Sequence, residues 1–199
     1  ITLHASCAAQ APAAAFPEQI MITRLNTILS LRAHLILALL GGVLLGAGVA
    51  AISPGQFWRG WLAAALLCIP ALFVLQWAWK WAGGGRLLGW MIALAFLVRL
   101  AVGIGLSLAL PVWGYPEPDQ QAGYLFKDAG SRDQQAWDLA LSDEPVYASF
   151  RDEFFTDQYG GLLALSALVY RYLSPDAHRP FLILIIGAFV AALGLPFLF

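Results

Sequence analysis

The sequence predicts an all-α fold, a polytopic bundle of about five transmembrane helices with an extracytoplasmic loop that carries short interfacial helices. Of the 199 residues, 60% are hydrophobic and 12% are charged, whereas soluble domains have about 45–50% and about 25%. Several apolar runs approach or exceed the roughly 20 residues that a helix needs to cross a bilayer. Ten of the twelve acidic residues lie between Glu117 and Asp157, so one polar segment interrupts an apolar chain.

The spans must be helices, because lipid offers the backbone no hydrogen-bond partner. Residues 1–20 are expected to be disordered or untranslated, because Met21 opens a more natural start. The predicted order is an N-terminal extension at 1–32, two added N-terminal spans within 33–82, and a membrane domain at 83–199. The membrane domain is predicted to contain a span at 87–113, a catalytic loop at 114–157 and spans at 158–173 and 180–199. The last of these spans is unfinished.

The basic residues predict the orientation. If the spans alternate, one side of the membrane receives Arg24, Arg32, Lys80, Arg86, Arg171 and Arg179. Basic loops are typically cytoplasmic, so loop 114–157 is predicted to be extracytoplasmic and the chain to be an integral protein of a bacterial plasma membrane. Arg171 and His178 are then interpreted as topology signals on the cytoplasmic side.

The stretch KDAGSRDQQAWDLAL, residues 127–141, carries the main candidate for chemistry. Wound at about 100° per residue, it places Asp133 within an apolar stripe that includes Ala136 and Trp137. A carboxylate on a buried face is costly unless it is paired or catalytic, so Asp133 is the candidate general base. Alternatively, the helix ends before Asp133, or Asp133 caps a helix that starts there. Asp128 is the alternate base and could exchange roles with Asp133.

Two arginines are candidates for binding an anionic group. Arg132 could bind a phosphate through its guanidinium fork, or it could be an exposed arginine paired with Asp128. Arg99 lies inside the third span, where a charge is rare and suggests function. It could hold an anionic headgroup, or it could pair with a carboxylate on a helix outside this sequence.

The loop re-enters the membrane at Asp157, Gln158 and Tyr159, which could line a donor or acceptor pocket. The alternative is a helix cap followed by an interfacial aromatic residue. Neither Cys7 nor Cys68 has metal-ligand spacing, and His4 and His34 are isolated, so no metal site is predicted. No run rich in lysine and arginine exists, so no nucleic-acid partner is predicted.

Residues 87–199 resemble the opening of the C-type multispan glycosyltransferases, in particular the bacterial relatives of dolichyl-phosphate-mannose protein mannosyltransferase and of the aminoarabinose lipid A transferase. The family motif is similar to RDQQAWDLA, in which Asp133, Trp137 and Ala140 match. The following stretch, TDQYGGLLALSALVYRYLSPDAHRPFLI, resembles the family's descent into its next span. Gln134 stands where the family usually has Glu. The family has many more than five spans, so this chain alone is expected to lack part of the donor site and to be inactive.

The resemblance implies an inverting transferase that moves a sugar from a polyprenyl phosphate to a hydroxyl of a protein, lipid or glycan acceptor. Asp133 would remove the acceptor's proton, with Trp137 lining the pocket and Arg132 and Arg99 binding the donor. It implies no certain cofactor, and arginine or lysine groups or a divalent cation would steady the leaving phosphate. The alternatives are a non-catalytic membrane protein, such as a transporter subunit or assembly factor, and an inactive fragment of the transferase.

Overall fold

The computed structural model describes residues 17–151 and 160–198, with side chains from residue 32 onward. Every regular element in these ranges is helical. The elements in chain order are α1 (Pro17–Ile52), α2 (Phe57–Trp81), α3 (Arg86–Trp113), α4 (Pro118–Gln121), α5 (Lys127–Leu141), a 3-10 helix (Val146–Phe150), α6 (Gly160–Leu173), α7 (Phe181–Leu193) and a second 3-10 helix (Leu195–Phe197).

Three helices in the described ranges are long and apolar enough to cross a membrane: Arg32–Ile52 within α1, α2 and α3. The apolar helices Gly160–Leu173 and Phe181–Phe197 are shorter. The all-helical membrane bundle predicted from composition therefore agrees with the structure at this level. At 1.5 Å per residue α6 is about 21 Å long, less than the roughly 30 Å of a hydrocarbon core.

α1 and α2 form an antiparallel pair whose close approach depends on small residues. A Cβ on Gly46 would lie 2.8 Å from the backbone nitrogen of Ala65, and one on Gly42 would lie 2.9 Å from that of Ile69. Glycine lets two helix backbones approach closely in a membrane, where packing rather than water exclusion drives association. α7 packs against both α2 and α3, and the bundle core includes Cys68, Phe96 and Ile185.

The direction of the helices decides which loops share an end of the bundle. The α1–α2 connection at 53–56 and the C-terminus of α3 lie at one end, and Ala82 to Gly85 lie at the other. α7 begins at the first end, where Arg179 contacts Gln56, and its continuation reaches the second, where Phe197 packs on Trp81. The polar segment after α3 is therefore at the same end as residues 53–56.

α5, the 3-10 helix Val146–Phe150 and α6 form a small separate layer at this end, which we call the cap. Its core consists of Ala136, Leu139, Ala140, Ala148, Leu163, Ala167 and Tyr170. α6 packs chiefly on α5 and on the 3-10 helix, and it makes few contacts with α2 or α7. The apolar face of α6 thus covers α5.

α4 starts at Pro118, since the first turn of a helix tolerates proline. One expectation from the sequence is wrong. Arg171 and His178 were expected on the opposite side of the membrane from loop 114–157, but both contact α5 within that loop. α6 folds onto the cap, so the turn at 174–180 stays at the cap end.

Candidate functional site

Asp133 lies in the middle of α5, and its carboxylate is held by three side chains from other parts of the chain. The hydroxyl of Tyr170 donates to Oδ1, and that of Tyr124 donates to Oδ2. His178 Nε2 lies 2.8 Å from Oδ2. The Asp133 side chain is 11% exposed. Since α5 runs continuously from Lys127 to Leu141 with Phe126 as its N-cap, Asp133 is neither a cap nor beyond the helix end.

Tyr124 reaches the carboxylate because the loop before α5 is anchored on α3. Ser107 Oγ donates to the Gly123 carbonyl at 3.0 Å, and Gly123 has a φ of 86°. A Cβ there would lie 2.6 Å from the Ser107 carbonyl oxygen, so glycine permits both the left-handed turn and the contact. Burial, followed by the Asp133 charge and its hydrogen bond, raises the pKa of Tyr124. Tyr124 is therefore a neutral donor to Asp133.

Two aromatic rings, which also contact each other, fix the imidazole of His178. The ring stacks on Trp137 with a centroid distance of 5.2 Å and an interplanar angle of 21°. It meets Tyr170 edge to face at 4.9 Å, and Trp137 meets Tyr170 edge to face at 5.8 Å. Trp137 and Asp133 are four residues apart on α5 and share a face. The helix therefore supplies both the carboxylate and the surface against which its histidine partner packs.

A second polar cluster, the clasp, joins the turn that carries His178 to the bundle. Arg179 is 0% exposed, and its guanidinium donates to Asp176 Oδ1 at 2.7 Å and Oδ2 at 2.9 Å. It also donates to Ser174 Oγ at 2.6 Å and to the Gln56 carbonyl at 3.1 Å. Hydrogen bonds from Arg179 lower the pKa of Asp176 to about 2. The clasp thus fixes the residues on both sides of His178.

Arg171 stabilises the other end of α5. Its guanidinium donates to the carbonyls of Ala140 and Ser142 at 3.1 and 3.0 Å and also to that of Leu139. The last carbonyls of a helix lack internal partners and carry partial negative charge, so a cation stabilises them. This contact gives a structural role to Arg171, which was interpreted from the sequence as a topology signal.

A cavity of about 550 Å³ lies between α3, α5, α6 and α7. Apolar side chains such as Leu106, Leu163 and Ile183 form most of its wall. Its polar side is formed by Asp128, Arg132 and Asp133 from α5 with Ser107 and Ser166. The arrangement is suited to an amphiphile whose apolar part lies against the bundle and whose head group meets α5.

The structure brings together some of the predicted site residues. Asp128, Arg132 and Asp133 all line the cavity, and Trp137 contacts the site through His178. Arg99 is exposed in the middle of α3 and lies outside the cavity lining. Asp157, Gln158 and Tyr159 lie outside the described residues.

Sequence reasoning did not find Tyr124, Tyr170 or His178 as partners of Asp133. The sequence contained a signal for Tyr170, because Leu163, Ser166, Ala167 and Tyr170 recur at helical spacing. In the structure all four residues are buried. The segment was interpreted as a membrane span, in which every face of the helix is apolar. The four residues were therefore not interpreted as one face that packs on another helix. His178 is brought to Asp133 only by the fold of the turn.

In the described ranges, no three histidine, cysteine, aspartate or glutamate side chains come together as metal ligands. The site therefore consists of a carboxylate with tyrosine and histidine partners beside a largely apolar cavity. No protein-family model matches the chain, and neither a curated protein nor a solved structure matches it.

Proposed function

We propose that the chain forms part of a membrane glycosyltransferase that moves a sugar from a polyprenyl phosphate to an acceptor hydroxyl at the extracytoplasmic face of a bacterial plasma membrane. One observation carries the proposal. Asp133 lines a cavity whose remaining wall is mostly aliphatic and belongs partly to α3 and α7. A carboxylate beside an apolar cavity at the end of a helical bundle suits a substrate with a lipid tail and a polar head.

The arrangement of partners around the carboxylate supports a proton-accepting role. A carboxylate has about four lone-pair positions. Oδ2 accepts from Tyr124 and lies 2.8 Å from His178, whereas Oδ1 accepts only from Tyr170 among the described side chains. The remaining position on Oδ1 is the one that would receive a hydroxyl proton from a ligand in the cavity.

The reaction would proceed by direct displacement. The acceptor oxygen attacks the anomeric carbon, the bond between that carbon and the phosphate oxygen breaks, and the acceptor proton passes to Asp133. Polyprenyl phosphate leaves with the electron pair, and the configuration at the anomeric carbon inverts. Arg132 lies one residue from Asp133 on the cavity wall, where its guanidinium could bind the phosphate of donor and product.

A second function is favoured by a different aspect of the same site. Asp133 already has three partners, and such a carboxylate can serve to join elements rather than to react. In that case the chain is a non-catalytic membrane protein and the Tyr124–Asp133–Tyr170–His178 cluster attaches α5 to the turn at 174–180. The two functions differ in whether the cavity binds a lipid phosphate and whether Asp133 is needed for turnover.

The test uses the whole transferase of which this chain would form part, in proteoliposomes, with undecaprenyl phosphate as the binding probe. Mannosyl-phosphoryl-undecaprenol is the donor and a serine-containing peptide supplies the acceptor hydroxyl. Asp133→Asn keeps the shape of the side chain and should lower transfer by about 10²- to 10⁴-fold while binding of the lipid phosphate persists. Leu106→Trp should narrow the cavity and weaken binding. Asp138→Asn, on the exposed face of α5, is the matched control and should change neither.

Turnover of Asp133→Asn at the level of the unsubstituted chain would contradict the assignment of the base. Undecaprenyl phosphate binding that Leu106→Trp leaves unchanged would contradict the cavity as the lipid site. If the chain neither binds the lipid phosphate nor transfers mannose, while Asp133→Asn lowers its thermal stability, the non-catalytic function is supported instead.

A further inference from the structure

Arg99 is a charged residue in the middle of a helix that is long and apolar enough to cross a membrane. It lies about 20 Å from both ends of α3 at 1.5 Å per residue, and its side chain is exposed. Among the residues that the structure describes, none forms a hydrogen bond or ion pair with it. The cavity lining includes Gly103 but not Arg99.

An arginine at this depth cannot remain in contact with lipid at low cost. A charged residue at the centre of a membrane helix is costly, because the bilayer core offers it neither water nor a counter-charge. Snorkelling relieves this cost only near helix ends, and about 20 Å exceeds the length of the side chain. Arginines within spans therefore face other protein groups or water.

The surface around Arg99 is uncovered. α3 has the lowest buried share of the three long apolar helices, 17% against 28% and 39%. Val102 is 53% exposed and Val98 is 54% exposed, and they lie about 60° and 100° from Arg99 around the helix. This face has room for a further helix with apolar side chains, and the arginine determines which charge that helix must carry.

The chain cannot supply that charge from its own spans. None of its twelve acidic residues lies between 19 and 116 or after 176, so the long apolar helices and α7 contain none. The acidic residues lie instead at Glu18, in the segment from 117 to 157 and at Asp176. A second copy of residues 1–199 therefore has no carboxylate at the depth of Arg99.

We propose that the face of α3 around Arg99 binds a transmembrane helix from outside residues 1–199 that carries one aspartate or glutamate at mid-membrane depth. The carboxylate accepts from the Arg99 guanidinium, and apolar side chains of the partner cover Val98 and Val102. In the low dielectric of the bilayer, a paired and hydrogen-bonded ion pair removes the cost that either charge would have alone.

The probe is a synthetic leucine–alanine transmembrane helix with a single central glutamate, mixed with the labelled full chain in phosphatidylcholine vesicles. Energy transfer measures the association. The glutamate helix should associate about tenfold more tightly than the same helix with central leucine, as expected for an interhelical contact of 1–2 kcal/mol. Arg99→Leu should remove the difference, and Arg99→Lys should keep part of it.

A charge at the same depth on another face is the matched control. Leu97 is 47% exposed and lies about 200° from Arg99 around α3. In the Arg99→Leu/Leu97→Arg double variant the preference for the glutamate helix should fall at least severalfold below that of the unsubstituted chain. Circular dichroism checks that each variant remains helical. Arg99→Gln replaces Arg99→Leu if the latter does not.

Equal association of the glutamate and leucine helices with the unsubstituted chain would overturn the proposal. A preference for the glutamate helix that persists in Arg99→Leu would also overturn it. The same holds if the Arg99→Leu/Leu97→Arg variant prefers the glutamate helix as strongly as the unsubstituted chain does. A helix with its glutamate near one end tests the depth, and association as tight as that of the central glutamate helix would also contradict the proposal.

Discussion

His178 Nε2 lies 2.8 Å from Asp133 Oδ2, which joins the middle of α5 to the turn between α6 and α7. The contact is the centre of the candidate site, because the same imidazole stacks on Trp137. A carboxylate and an imidazole so close together are energetically coupled. The pair also shows that the turn at 174–180 is at the cap end of the bundle.

The coupling of this pair can be measured by a double-mutant cycle. Asp133→Asn and His178→Gln should each lower the free energy of unfolding, and the double variant should lose about 1–2 kcal/mol less than the sum of the two. Reversible unfolding in detergent provides the measurement. Gln134 and Asp138 form a 2.9 Å hydrogen bond on the exposed face of the same helix, and Gln134→Ala/Asp138→Ala is the control cycle. Additive losses at Asp133 and His178 would mean that the contact does not stabilise the fold.

Arg171→Gln should destabilise the cap by about 1–3 kcal/mol. It removes a cation that donates to three carbonyls at the end of α5, and hydrogen bonds from charged groups are among the strongest. Hydrogen exchange of the α5 amides should report the loss locally. Arg151→Gln breaks an exposed ion pair with Glu144 and should cost less than about 1 kcal/mol. Equal effects of the two substitutions would contradict the assigned role of Arg171.

The clasp predicts a dependence of stability on pH. Arg179 lowers the pKa of Asp176 to about 2 from its usual 3.8, so the carboxylate stabilises the fold above pH 4. That stability is lost as the pH falls through about 2, because the carboxylate then takes up a proton in the folded state. Asp176→Asn should be less stable by roughly 1–3 kcal/mol at pH 6. The difference from the unsubstituted chain should shrink between pH 4 and pH 2, and a difference that stays constant over this range would contradict the mechanism.

Gly55 and Gly83 separate steric fit from backbone strain. Both have positive φ, 83° and 97°, so alanine at either should cost about 1–2 kcal/mol in backbone strain. A Cβ on Gly55 would also lie 2.5 Å from Ala177 Cβ and 2.6 Å from Arg179 Nη2, whereas one on Gly83 meets nothing within 4 Å. Gly55→Ala should therefore lower the melting temperature clearly more than Gly83→Ala. Equal shifts would show that the turn at 174–180 does not pack against residue 55 in solution.

Composition and periodicity predicted part of this fold. The two spans predicted within 33–82 correspond to Arg32–Ile52 of α1 and to α2, and the span predicted at 87–113 corresponds to α3, because long apolar runs leave the backbone little alternative. A helix across KDAGSRDQQAWDLAL was one interpretation of its pattern, beside a helix that ends before Asp133 or starts there, and α5 runs through the whole stretch. The cap was not predicted, because α6 is apolar and an apolar helix can cover either lipid or another helix.

The site shows the same limit. Asp133 was selected because a helical wheel placed it on a buried face, and it is half-buried there. Its partners come from the α4–α5 loop, from α6 and from the turn before α7, and no local pattern encodes contacts over such separations. The sequence also does not show that Arg179 is fully buried, since a basic residue beside a span usually indicates orientation.

Two neighbouring residues, His178 and Arg179, have their side chains directed to different layers, one to α5 and the other to the α1–α2 connection. The peptide unit between them therefore sets the position of Asp133 relative to the α1–α2 connection. A shift of the turn by one residue would exchange the two directions and leave both the carboxylate and the guanidinium without their counterparts. The placement of α5 relative to the helical bundle is in this way determined by the chain itself.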